Sequence, residues 1–293
     1  MDGTGNGVKA SMRVALETTL LVHGVPQDAA RPLAARLDEI VREQGGVPAT
    51  VGVVDGRAVV GLNVQELGTL LDATDVAKAN SANLGVLMSR GQHAATTVSA
   101  TMELAAGAGV KVFATGGIGG VHRGYGNHWD VSSDLIALTR FPVAVVASGV
   151  KNLLDVESTR EMLETLCVPV VAYQTDRFPA FYRRESDAGV DARFDDPGEL
   201  ASFLQAELRR TGRGVLVCNP IPPQHELDAN DWRRWLDEAT AWAVGQDATG
   251  RGVTPAVLGR LHEISGGATL RANLALVEDN CRLAGAIAAA MPG

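Results

Sequence analysis

The sequence predicts an α/β protein, a layered α/β/α arrangement in which helices cover both faces of a central, mostly parallel sheet. Three observations carry this. Short runs at Val110–Ala114, Pro142–Ala147, Val168–Tyr173 and Gly214–Cys218 are almost continuously apolar, as strands buried on both faces are. Helical segments separate these runs, which is the alternation that builds a covered parallel sheet. The chain has 293 residues, 46% of them apolar, enough for a sizeable core.

Each element follows in order. Residues 1–13 are polar and Gly-rich at first, and are expected to form a flexible start to a single catalytic domain over 14–293. This start lacks the apolar run of a signal peptide, and no apolar stretch reaches the ~20 residues that span a bilayer. A cytoplasmic address without membrane contact is therefore expected. Asp28 is placed as the cap of a helix running to Gln44, because Leu33, Leu37, Ile40 and Val41 recur at helical spacing and Gly45-Gly46 stops it. The β-rich runs Ala49–Val54 and Ala58–Leu62 flank Asp55-Gly56, a type I′ turn signal, and predict a hairpin. Phe178–Pro197, polar and rich in Arg and Asp, reads as a mobile surface excursion. Thr254-Pro255 reads as a cap followed by a first-turn proline, and Leu270–Met291 as a long Ala-rich helix.

Charge and composition narrow the partners. The chain carries 26 basic and 34 acidic residues, a formal charge of −8, with no basic stripe to follow a nucleic-acid backbone. Aromatic residues make up only 4%, too few to stack on single strands. Small molecules, not nucleic-acid polymers, are the expected partners. Cys167, Cys218 and Cys281 lie far apart in apolar or helical surroundings and read as buried reduced thiols.

The densest chemical signal is Phe113-Ala-Thr-Gly-Gly-Ile-Gly-Gly-Val-His-Arg-Gly124, in which an apolar strand runs into glycines and then a basic pair. Small residues let backbone N–H groups approach an anion, and His122 and Arg123 could bond a phosphate. Thr115, His122 and Arg123 are accordingly substrate-binding candidates, although a tight turn with a surface arginine has the same pattern. Nicotinamide and Walker motifs are absent. In Trp129-Asp-Val-Ser-Ser-Asp-Leu135, hard oxygen donors gather in a way that suits Mg²⁺ or Mn²⁺, and helix capping by Ser132 or Ser133 is the plainer reading.

Lys151 follows a buried strand through Ser148-Gly149-Val150, so it stands at the carboxyl end, where open α/β sheets place ligands. A partly desolvated amine near other cations gives up its proton more readily and can attack a sugar aldehyde to form an imine. Lys78 and Glu17 are further candidates. Asn273, Asn280 and the Thr96–Met102 stretch offer neutral hydrogen-bonding groups. His23, His93 and His128 show no metal-ligand spacing.

The chain resembles the pseudouridine-5′-phosphate glycosidases, also called the indigoidine synthase A-like family. The likeness runs from Ala15-Leu-Glu-Thr-Thr and His23-Gly24, through Val47-Pro-Ala-Thr50, Lys78, Ala95-Thr-Thr-Val98, the glycine block and Asp130-Val-Ser-Ser-Asp-Leu135, to Lys151-Asn-Leu-Leu-Asp155. It continues in Phe178-Pro-Ala-Phe-Tyr182, Asn219-Pro-Ile-Pro222, Thr254-Pro255 and Ala272-Asn-Leu-Ala-Leu-Val277. The resemblance implies a lyase-like reaction in which ring-opened ribose 5-phosphate is held as an imine on Lys151, with Glu17 as acid and base. It also implies substrate contacts at Lys78, Val98, Ser132, Ser133, Asp134 and Asn273, a divalent cation such as Mn²⁺ on Asp130, and a homotrimer. The chemistry is coherent, because a carbon-linked glycoside has no leaving oxygen to protonate, whereas an iminium at the sugar C1 is an electron sink.

Two departures from the family pattern stand out: Val25-Pro-Gln-Asp28 after the first His-Gly, and Asn80-Ser-Ala-Asn-Leu84 after Lys78. Both fall near the expected aglycone. They favour an alternative in which the same imine joins ribose 5-phosphate to another ring in secondary metabolism. A non-catalytic sugar-phosphate-binding protein is a third reading, opposed by the joint presence of Lys151, Glu17 and Asp130.

Overall fold

The computed structural model describes residues 12–123, 126, 129–245 and 253–291. Most of the expected flexible start, Gly124 and His128 lie outside the described residues. Strand β1 (Arg13–Glu17) begins one residue before the expected start of the domain. It is followed by β2 (Val47–Val54), β3 (Arg57–Val60), β4 (Ala77–Ala79), β5 (Ala94–Thr96), β6 (Val112–Ala114) and β7 (Val121–His122). Then come β8 (Ala144–Ala147), β9 (Leu154–Asp155), β10 (Val170–Tyr173), β11 (Ala192–Phe194) and β12 (Val215–Cys218).

Ten of these strands form one sheet in the order β11-β10-β12-β8-β6-β1-β2-β5-β4, with β3 on β2. Only the pairings of β2 with β3 and with β5 are antiparallel; the rest of that sheet is parallel. The predicted hairpin is β2–β3. Asp55 (φ 49°) and Gly56 (φ 73°) both take the left-handed conformation that a type I′ turn requires.

The helices are α1 (Thr19–His23), α2 (Gln27–Glu43), α3 (Val64–Asp72), α4 (Leu84–Ser89), α5 (Val98–Gly107), α6 (Ser133–Arg140), α7 (Val156–Thr165), α8 (Pro197–Thr211), α9 (Ala229–Gly245), α10 (Val253–Ile264) and α11 (Ala268–Ala290). In α2 the periodic face is buried as expected, but Pro26 occupies the cap position. Asp28 falls instead in the first turn, where a carboxylate still suits the positive end of the helix. Helix α10 already begins at Val253, so Thr254 lies within its first turn, not at a cap.

Alternate residues along single strands feed two cores, which shows that both faces are covered. Val14, Leu16, Val112, Ala114 and Val146 pack with α2, α8 and α11. Ala15, Phe113, Val145 and Ala147 pack with α5, α6 and α7 on the other side. Each fully buried Val, Leu or Phe contributes roughly 1.5–3 kcal/mol to folding.

Two expectations are corrected here. Phe178–Pro197 is docked against the body of the protein: Phe178, Phe181 and Tyr182 are buried, and the segment supplies β11. Its polar residues surround these aromatic anchors and hide them from a composition count. Cys167 is exposed, at a turn after α7 with φ 54°, whereas Cys218 and Cys281 are buried free thiols. Burial pushes both buried thiols well above the usual range, so they are poor nucleophiles.

Candidate active site

The carboxyl ends of β1, β6 and β8, neighbours in the sheet, carry Glu17, Thr115 and the turn to Lys151. Glu17 closes β1 and is only 7% exposed. The hydroxyl of Thr115 donates to its Oε1. Burial raises the pKa of Glu17, while the charges of Lys151 and Lys78 pull it down and Asp134 pushes it up. Lys78 has the opposite problem. Burial lowers its pKa, the Lys151 charge lowers it further, and Glu17 and Asp134 counteract this. Glu17, Lys78, Lys151 and Asp134 therefore form one electrostatic unit, although they are spread over 134 positions of sequence from 17 to 151.

The turn that delivers Lys151 depends on Gly149, whose φ is +75° and whose missing Cβ would lie 1.8 Å from the Pro179 carbonyl oxygen. Only glycine fits there. The Lys151 N–H then donates to Ile118 O at 2.9 Å, which ties the lysine to the glycine block. Phe181 N–H donates to Ser148 O at 2.9 Å, so the 178–182 segment closes over the same turn.

The chain just after Glu17 is anchored by buried hydroxyls. Thr18 Oγ1 donates to Val51 O at 2.8 Å and accepts Thr96 N–H at 2.9 Å, while Thr101 Oγ1 donates to Thr96 Oγ1 at 2.9 Å. This replaces sheet bonds where β1 ends. Lys78 is held through its backbone: Asn83 Nδ2 donates to Lys78 O at 3.0 Å, and Asn80 N–H donates to Asn83 Oδ1 at 2.7 Å.

The glycine block differs from an open cradle. Ile118 N–H donates to Gly149 O at 3.0 Å, and Gly119 N–H to Asp134 Oδ2 at 2.8 Å. A Cβ on Gly119 would come within 2.2 Å of Ser132 Oγ. Gly119 thus packs closely against the start of α6, while Gly116 faces α11, Gly117 faces Phe181 and Gly120 faces Thr159 of α7, and the expected phosphate contacts of this loop are partly taken by the protein itself. Asp134 uses its other oxygen to accept Ser99 N–H at 2.9 Å. It thus locks the start of α5 to the start of α6. Ser99 Oγ lies 3.0 Å from Ser133 Oγ and 3.2 Å from Thr97 Oγ1, giving a hydroxyl cluster where two helix N-termini meet. Ser132 caps α6 by accepting Asp134 N–H at 3.2 Å. Val98, a predicted substrate contact, is fully buried at the first position of α5.

The other predicted residues lie along the rim. His122 Nδ1 is 3.7 Å from Asp130 Oδ2, whose side chain is 65% exposed. Arg123 faces an open depression of about 660 Å³ shared with Arg177, Arg183 and Arg233, not the Glu17–Lys151 group. Among the described residues, no three His, Cys, Asp or Glu side chains form a metal cluster. A lone exposed carboxylate with a nearby imidazole fits a hard cation that keeps most of its water, not one in a protein cage. Asn273 lies beside Gly116, its buried Oδ1 without a partner. Asn280, a bland polar residue in sequence, proves to be a buried hub. Its signal was a polar residue on the stripe formed by Leu276, Val277, Cys281 and Ala284.

The family model described as "Indigoidine synthase A like protein" matches residues 9–290. The chain is 44% identical to a pseudouridine-5′-phosphate glycosidase of Symbiobacterium thermophilum over 283 residues, 95% of this chain and 92% of that one. Among solved structures, an indigoidine synthase A-like protein of Thermotoga maritima is 37% identical with a TM-score of 0.87, over 96% of this chain and 94% of that one. The prealnumycin C-glycosynthase AlnA, in complex with ribulose 5-phosphate, is 35% identical with a TM-score of 0.87, over 95% of this chain and 91% of that one.

Proposed function

The chain belongs to the indigoidine synthase A-like family, and from that premise we propose that it is a carbon-linked glycosidase acting on pseudouridine 5′-phosphate, reversibly separating uracil from ribose 5-phosphate. The observation that carries this is the placing of Glu17 at the end of β1, bonded to the Thr115 hydroxyl, and of Lys151 on the glycine-dependent turn after β8, within electrostatic reach of each other and of Lys78, in a chain 44% identical to a glycosidase of that name.

In the direction of synthesis, the Lys151 amine adds to the C1 aldehyde of ring-opened ribose 5-phosphate and water leaves, giving an iminium. The ring carbon of uracil attacks C1, so the iminium electron pair returns to nitrogen as the carbon–carbon bond forms. Glu17 takes the proton from that ring carbon, and closure of the sugar through its own hydroxyl releases the lysine. Cleavage is the reverse: protonated Glu17 returns the proton to the departing carbon. A carboxyl whose pKa is raised by burial suits both halves of this exchange. Lys78, with its lowered pKa, stands beside the same centre as a hydrogen-bonding contact to substrate.

The phosphate end of the substrate is assigned to the joined N-termini of α5 and α6, beside the Ser99–Ser133 hydroxyl pair, since helix starts favour anions. Asp134 serves there by holding the two helices together. Asp130, with His122 beside it, is the position for Mn²⁺ or a similar divalent cation. Such an ion would order water and phosphate near the sugar. Family resemblance further supports a homotrimer; no helix among the described residues is long and apolar enough to cross a membrane.

A second reading keeps the imine and changes the acceptor. It is favoured by the C-glycosynthase neighbour and by the Asn80–Asn83 clamp on Lys78, which lies in one of the segments that depart from the family pattern. One experiment separates the two. The protein is incubated with Mn²⁺ and ribose 5-phosphate, reduced with borohydride, and mapped by mass spectrometry, then assayed with uracil. An adduct on Lys151 with formation of pseudouridine 5′-phosphate supports the first reading. An adduct without uracil turnover supports the second, and no adduct on Lys151 overturns both.

A further inference from the structure

We infer that Asn280 is a positioning residue that sets the spacing between Glu17 and Lys151 by tying together the strand ends that carry them. This inference rests on the imine reading above. Asn280 lies on α11 and is fully buried. Its Nδ2 donates to Thr115 O at 2.8 Å and to Ser148 Oγ at 3.2 Å. Its Oδ1 accepts from Asn219 Nδ2 at 3.1 Å, and the same Nδ2 of Asn219 donates to Asp279 Oδ2 at 2.9 Å.

Thr115, Ser148 and Asn219 each stand one residue beyond β6, β8 and β12, which are consecutive in the sheet. Beyond that point the parallel ladder is running out, and one amide from a helix takes its place. Thr115 passes the constraint to Glu17 on the next strand through its hydroxyl. Ser148 passes it to Lys151 through Gly149, whose backbone is fixed by the Pro179 contact. An amide is the side chain suited to this role, since it offers donors to the Thr115 carbonyl and an acceptor to Asn219 at once. A buried polar group so placed is costly to leave partly satisfied, and an apolar residue would give the cheaper core at this helix position.

The test compares Asn280→Ala and the milder Ser148→Ala with the wild type. Borohydride trapping of ribose 5-phosphate on Lys151 counts the competent sites in each, so turnover is expressed per trapped site. Positioning predicts that Asn280→Ala still traps the sugar, while kcat per site falls ~100-fold, as small displacements of reacting groups do, and KM changes by less than about 3-fold. Ser148→Ala moves the same way by a smaller factor. Glu17 is faced by Lys151, Lys78, Asp134 and the Thr115 hydroxyl. Freeing that hydroxyl therefore shifts the Glu17 limb of the pH–rate profile to higher pH, an effect that mere loss of stability would not produce.

Unchanged kcat per trapped site and an unchanged pH profile would overturn the inference. If Asn280→Ala does not fold, Ser148→Ala decides by the same criteria. A wild type that fails to trap ribose 5-phosphate removes the imine reading itself, and that outcome is distinct from a wild type that traps while the variants match it.

Discussion

Glu17, the last residue of β1, and Asp130, between β7 and α6, are both carboxylates, yet one is 7% exposed and the other's side chain is 65% exposed. Around Glu17 the protein has built a dry wall in which Thr115 bonds the carboxylate and two lysines lie in electrostatic reach. Beside Asp130, the described residues place His122. The difference teaches how the work is divided. Chemistry that needs a proton held far from its ordinary range must be done where water is excluded. An ion that keeps its own hydration shell can be held by an exposed group. The wall is therefore expected to control rate, and the rim to control only metal dependence.

The largest effect that would sharpen this contrast is Lys151→Ala, which should abolish the borohydride-trapped adduct and lower turnover by more than ~10⁴-fold. Next is Glu17→Gln. It should still trap ribose 5-phosphate on Lys151 but slow turnover by ~10²–10⁴-fold, the usual contribution of a positioned acid or base. In the wild type, cleavage should decline as pH rises through the raised pKa of Glu17, because only the protonated carboxyl can give its proton to the leaving carbon. A pH–rate profile checks this, and its persistence in Glu17→Gln would break the assignment.

On the rim, His122→Ala should raise the Mn²⁺ concentration for half-maximal turnover by about 10-fold, as loss of a partner beside a ligand does, and leave the adduct on Lys151 intact at saturating metal. A loss of adduct equal to that of Lys151→Ala would erase the distinction between wall and rim.

The smallest effect is on stability. The native state holds the Glu17 proton more tightly than the unfolded chain, so its contribution is complete below the ordinary carboxylate value of 4.5 and is lost as pH rises through the raised one. Glu17→Gln should therefore shift the urea midpoint upward near pH 7, with the gain vanishing near pH ~4. A gain that grew toward acid pH would contradict the burial argument.

The covered parallel sheet was legible because β6, β8, β10 and β12 are short continuous apolar runs, and the hairpin because Asp55-Gly56 admits few other turns. Strand β1 was less visible, since Arg13 and Glu17 bracket only three apolar residues. The 178–197 segment misled for a related reason: polarity averaged over the stretch conceals Phe178, Phe181 and Tyr182, which help to dock it together with the pairing of β11 on β10.

The sequence by itself determined the layered class and the delivery of Lys151 from the end of a buried strand, and its motif resemblance supplied Glu17, Lys78, Asp130 and Lys151 as candidates. These are properties of local pattern and residue type, which do not require knowing what lies opposite. Only the tertiary structure decided that Gly119 packs against the start of α6, that Asp134 joins two helices, and that Asn280 links three strand ends. Each of those roles depends on which groups are left without a partner once the sheet and helices have closed. That is a matter of contacts between residues 15 to 165 positions apart, and no local pattern records it.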